Sequence, residues 1–107
     1  MEQGPHETSW YPFVAHAELL VENSSVPLTT RVSQLSRQGC RVQLMDTIPA
    51  GTSVVVRIFA WPHFFQARGT VSYLGRGLGV IFEQIESAYA STLEACLLQA
   101  VQKQRQY

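Results

Sequence analysis

The side chains best suited to binding chemistry lie close together in one hexapeptide, Gln34-Leu35-Ser36-Arg37-Gln38-Gly39. An amide, a hydroxyl and a guanidinium so near one another can hold a polar or anionic ligand by directed hydrogen bonds. Arg31 and Arg41 flank the segment. Trp10 offers a face on which a base can stack, an interaction of about 1–3 kcal/mol. Arg31 and Arg41 read more readily as the solvated face of a strand, and Trp10 as a lid over the end of the fold. Gly39 permits a strained turn or the close approach of a ligand. Ser36 and Gly39 would also serve simply to close a tight loop between two strands.

Catalytic readings lack parts. Ser36 has no His or acid within its own segment, and no two carboxylates are spaced for acid–base work. Gly75-Arg76-Gly77-Leu78-Gly79 leads into an apolar strand, so it lacks the helix N-terminus that makes such loops bind phosphate. Cys40 and Cys96 stand in unlike contexts, and His6, His16 and His63 are scattered. The cysteines are therefore expected to be free, buried and reduced, and no metal or other cofactor is expected.

A length of 107 residues suits one domain with a single core. Eight Lys plus Arg balance eight Asp plus Glu, so no long-range field recruits a nucleic-acid polymer or an anionic membrane. The chain is 46% hydrophobic, but its longest apolar run, from Ile58 to Phe65, is interrupted by Pro62 and His63. That run falls well short of the roughly 20 residues a membrane-spanning helix requires. Met1 to His6 do not form a basic-then-apolar leader, so a cytoplasmic location is expected.

Apolar residues repeat with period 2 almost throughout and with period 3.6 only near the end. Phe13 to Val21 and Leu28 to Leu35 read as strands around the turn-prone Glu22-Asn23-Ser24-Ser25. Cys40, Val42 and Leu44 alternate with Arg41 and Gln43. Ile48-Pro49-Ala50-Gly51 reads as a turn, with Pro second and Gly fourth. Val54 to Tyr73 form a long hairpin around Ala60-Trp61-Pro62-His63, pairing Phe59 with Phe64, Ile58 with Phe65, Val56 with Ala67 and Val54 with Gly69. Val71 and Tyr73 continue its inner face to Gly75-Arg76-Gly77, and Leu78 to Phe82 supply a last strand. From Ser87, an expected N-cap, a helical stripe follows: Tyr89, Leu93, Cys96, Leu97, Ala100 and Val101. The expected fold is all-β, a closed or nearly closed six-stranded barrel with one terminal helix. Residues 1–10 read as a flexible N-terminal segment and residues 11–104 as the domain.

Tyr11-Pro12-Phe13, Leu35-Ser36, Gly39-Cys40, Pro49-Ala50-Gly51-Thr52, Ala67-Arg68-Gly69 and Gly77-Leu78-Gly79-Val80-Ile81-Phe82, in that order, resemble the PilZ domain from Trp10 to Leu98. The resemblance implies a six-stranded antiparallel barrel with a C-terminal helix, and a role in signalling by the dinucleotide cyclic di-GMP. That family carries Asp or Asn, any residue, Ser, two residues and Gly where this chain has Gln34, Ser36 and Gly39. It also carries two Arg, separated by three residues, ahead of the first strand, whose planar forks grip phosphate and guanine. The matching stretch here, His6-Glu7-Thr8-Ser9-Trp10, holds no Arg or Lys, and Glu7 adds a repulsive charge. At about 1–3 kcal/mol per bidentate contact, two losses weaken binding by roughly 30-fold to 10⁴-fold.

The chain is thus expected to be a PilZ-like, non-catalytic regulatory adaptor that binds cyclic di-GMP weakly or not at all. Gln34, Ser36, Arg37, Gly39, Arg31 and Trp10 are the residues that would hold any ligand. One alternative is a competent receptor using Ser36, Gly39 and the nearby Arg residues. Another is a structural domain that self-associates. Phe59, Trp61 and Phe64, at the tip of the long hairpin, are the candidate surface for a protein partner or a second copy. The terminal helix would otherwise cover them.

Overall fold

Alternating burial along the chain builds six strands: β1 (Tyr11–Val21), β2 (Leu28–Leu35), β3 (Gly39–Val42), β4 (Ser53–Ala60), β5 (His63–Leu74) and β6 (Gly77–Gln84). One helix among the described residues, α1 (Ser87–Gln104), follows. The computed structural model describes residues 9–44, 47–74 and 77–104. Most of the N-terminal segment, including His6 and Glu7, and the Gly75-Arg76 break lie outside the described residues.

The strands close in the order β1-β2-β3-β6-β5-β4, every pair antiparallel. Closure satisfies backbone groups that an open sheet would leave at its edges. The inward positions of the strands, among them Leu19, Val32, Leu35, Val56, Ile58, Phe65, Val71 and Val80, form the core. The helix lays Leu93, Cys96, Leu97 and Ala100 into that core and packs on β1 and β5. Both cysteines are free and buried, as the sequence indicates. Burial pushes the Cys40 thiol up to about 12, which keeps it protonated and unreactive.

The β4–β5 register agrees with the sequence reading at every expected pair. Three local expectations are corrected. Ala60 pairs with His63, so the hairpin connection is Trp61-Pro62, joined by a cis peptide bond, rather than four residues. The turn before β4 is shifted by one residue: Thr52 donates its N–H to the Pro49 carbonyl. Gly51 therefore occupies the third position with φ 91°, where a type II turn needs a residue without Cβ. Tyr73 does not continue the inner face but is 43% exposed. Its hydroxyl donates to the Ile48 carbonyl and accepts from the Ile48 N–H, tying the loop before β4 to the end of β5.

One irregularity shapes the site. The β2–β3 register shifts between Val32 and Gln34, and this changes which side chains of β2 face inward. Thr30, Val32 and Leu35 are all buried, while Ser33 and Gln34 stay half-buried. A β-bulge re-aims side chains in this way.

Candidate functional site

The hexapeptide is the connection from β2 to β3, and its geometry follows from Ser36 and Gly39. Ser36 is fully buried. Its Oγ accepts hydrogen bonds from the N–H groups of Gln38 and Gly39, both at 3.1 Å, and donates to the Gly39 carbonyl at 3.2 Å. The Ser36 N–H donates to the same carbonyl at 2.9 Å. A hydroxyl has one proton and two lone pairs, so this side chain's whole capacity is spent inside the loop.

Gly39 sits where another strand comes too close for a side chain. A Cβ built on it would lie 2.2 Å from the Val80 carbonyl oxygen of β6. The loop is also pinned from outside, since the Phe82 N–H donates to the Gln38 carbonyl at 2.8 Å. Gly39 therefore serves close approach of the chain's own backbone.

Arg37 points out of the loop into solvent, where its fork meets a carboxylate that sequence reasoning did not single out. Nε donates to Glu94 Oε2 at 2.9 Å, and the terminal nitrogen donates to Oε1 at 2.8 Å. This bidentate pair raises the Arg37 pKa and holds the Glu94 carboxyl below the usual carboxylate value. It connects the hexapeptide to α1 across the outside of the barrel. Glu94 is an ordinary exposed helix residue in sequence, and nothing in the helical periodicity marks it as the partner of a residue 57 positions earlier.

Because both groups are exposed, the Arg37–Glu94 contribution to stability is expected to be small and to fade at high salt. Its pH dependence has a definite sign: with the folded carboxyl pKa lowered, the contribution is full above about pH 5 and is lost as pH falls through the lowered value. An Arg37→Gln, Glu94→Gln double-mutant cycle across pH 3–7 checks this. A coupling that grows on acidification would contradict the pairing.

Gln34 lies on the outer side of β2, opposite Arg41 of β3 and Pro12 of β1. Beside it the Arg41 guanidinium rests 5.4 Å above the Trp10 ring, a cation–π arrangement that already occupies one face of the indole. Gln34, Arg41 and Trp10 are thus brought together. Arg31 is exposed further along β2, opposite His16. Three residues of strand, about 10 Å, separate it from Gln34, so it faces solvent away from the loop.

At the tip of the β4–β5 hairpin, Phe59 and Phe64 lie across from each other with ring centroids 5.3 Å apart. Tyr89 of α1 meets Phe64 edge-on at 5.8 Å and Phe65 at 6.3 Å, yet Phe64 stays 38% exposed. Trp61 stays 92% exposed and Phe59 42% exposed.

No protein-family model matches the chain and no curated protein matches its sequence. Solved structures do match it in shape. The inhibitor of motility of Bacillus subtilis (MotI/DgrA) superposes with a TM-score of 0.69 at 14% identity, covering 97% of this chain and 52% of that one. The chain thus spans about half the length of that neighbour. The PilZ domain of CeSA from a cellulose-synthesising bacterium superposes with a TM-score of 0.60 at 15% identity, covering 91% of this chain and 99% of that one. A closed six-stranded antiparallel barrel followed by a C-terminal helix, matched along nearly its whole length by a PilZ domain, shows that this chain has the PilZ fold.

Proposed function

We propose that this barrel is a non-catalytic regulatory module of the cyclic di-GMP signalling class, acting through protein contacts and binding the dinucleotide weakly or not at all. The observation that carries this reading is the state of the hexapeptide: the Ser36 hydroxyl is saturated within its own loop, and the Arg37 fork is closed on Glu94. A ligand would have to open the first and outcompete the second before gaining a contact from Ser36 or Arg37. The sequence ahead of β1 supplies no arginine fork to compensate. A fold neighbour described as an inhibitor of motility agrees with a regulatory role. A buried serine whose proton is already shared with a backbone carbonyl is a poor nucleophile, in keeping with a module that does no chemistry.

Calorimetric titration with cyclic di-GMP tests the proposal. The expected result is no saturable heat at low micromolar ligand. Saturation in that range would replace this reading with a competent receptor, in which the exposed Arg37 leaves Glu94 for the ligand.

A further inference from the structure

The barrel is closed around most of its circumference, but one strand outruns its neighbour. The β1–β4 ladder ends at His16–Phe59, because β4 turns back at Trp61-Pro62 while β1 extends to Tyr11. From Tyr11 to Ala15, β1 has β2 on one side and no strand ladder on the other. The Glu22 N–H donates to the Ser53 carbonyl at 3.0 Å, so the even-numbered residues of β1 aim their backbone groups towards β4. Burial alternates without interruption from Pro12 to Leu19, across the register shift that the β1–β2 ladder shows between Pro12 and Ala15, and this carries the parity to Val14. Its N–H and C=O therefore point past the hairpin tip.

The space they point into is a groove of 640 Å³, floored by β1 and walled by the hairpin tip and the last turns of α1. Val14, His16, Phe59, Trp61, Gln99 and Lys103 are among its lining residues. Val14 is 73% and Trp61 92% exposed, a large apolar surface for a chain of this size to leave uncovered. Among the described residues no carboxylate lines the groove, whereas Lys103 places a cationic side chain on its rim beside His16. Backbone groups aimed outward, apolar side chains beside them and a basic rim together define a site for strand addition.

We infer that this groove binds an extended peptide segment of a partner protein, which adds as a strand along Tyr11–Ala15. The peptide exchanges main-chain hydrogen bonds with Val14, lays apolar side chains at alternate positions against Val14, Phe59 and Trp61, and sets an acidic side chain against Lys103. This rests on the adaptor reading above and gives it a location and a partner chemistry.

A display library of random dodecapeptides selected on the wild-type protein provides the probes. The expected winners carry alternating apolar residues and at least one Asp or Glu. Synthesised and titrated into isotope-labelled protein, they shift the Val14 amide and Trp61 indole resonances and protect the Val14 amide from exchange. Val14→Pro deletes the outward N–H at a position where an edge strand tolerates proline, and Lys103→Glu reverses the rim charge. Each is expected to weaken binding by about tenfold or more while leaving the circular dichroism of the barrel unchanged.

Winners that are basic, or that shift resonances only elsewhere, would overturn the inference. So would a library yielding no binder, or full affinity in the folded Val14→Pro variant. A wild-type dimer that Val14→Pro converts to monomer would assign the groove to a second copy instead. Each of these outcomes leaves the adaptor reading intact as long as cyclic di-GMP gives no saturable heat. Saturation by the dinucleotide would defeat the adaptor reading whatever the groove does.

Discussion

A variant combining His6→Arg, Trp10→Arg and Gln34→Asp is expected to bind cyclic di-GMP roughly 30-fold to 10⁴-fold more tightly than the parent chain. The first two changes restore the pair of guanidinium forks that the PilZ resemblance places ahead of the first strand. The third supplies a carboxylate that can accept from both the N1 and N2 donors of guanine, where the neutral Gln34 amide gives a weaker bond. The introduced carboxylate stands opposite Arg41 in the β2–β3 ladder, and replacing Trp10 releases the Arg41 guanidinium from the indole face. Calorimetry on parent and variant at matched ionic strength reads the gain directly, and salt dependence reports the restored phosphate contacts. A correctly folded variant that still shows no binding would locate the barrier in the loop itself, where Ser36 is closed on Gln38 and Gly39.

Substitution of Gly39 by alanine is expected to cost more than about 4 kcal/mol, lowering the melting temperature by roughly 15–30 °C or leaving the protein insoluble. The added Cβ would stand 2.2 Å from the Val80 oxygen and 3.2 Å from the Ile81 Cα. These are backbone atoms of the strand paired with Gly39, so no side-chain rotation relieves the clash. Moving β6 outward is resisted from its other side, where a Cβ on Gly69 of β5 would lie 2.4 Å from the Ile81 oxygen. Small residues on both neighbours let β6 lie this close. Ser36→Ala provides the comparison, with an expected loss of about 1–3 kcal/mol for the unsatisfied Gln38 and Gly39 N–H groups. Denaturant unfolding of the two variants decides the order, and near-native stability of Gly39→Ala would show that the strands can separate.

The architecture was legible because it rests on local patterning. A period of 2 along β1, β4 and β5 determines which residues face inward, and the long hairpin's register follows from matching its apolar faces around a short turn. The Ser87–Gln104 helix announces itself by a stripe at 3.6-residue spacing. Local chemistry also marked Ser36 and Gly39 as a pair worth watching, and left open whether they hold a ligand or close a loop.

Features that depend on where distant segments meet were not legible. The turn at Gly51 needed a backbone angle rather than a residue pattern. The inward Leu35 needed the β2 bulge, which shifts the alternation without any signature in residue type. Arg37 meets Glu94 only because the barrel brings the β2–β3 connection beside the helix. The open edge of β1 exists because β4 turns back before its neighbour ends, a difference in strand length set by the closure of the barrel. Sequence periodicity is a one-dimensional record of which side chains leave water, and it determined the strands, the helix and the core of this protein. Contacts across the barrel depend on register, bulges and relative strand length, and those are decided only when all six strands close on one another.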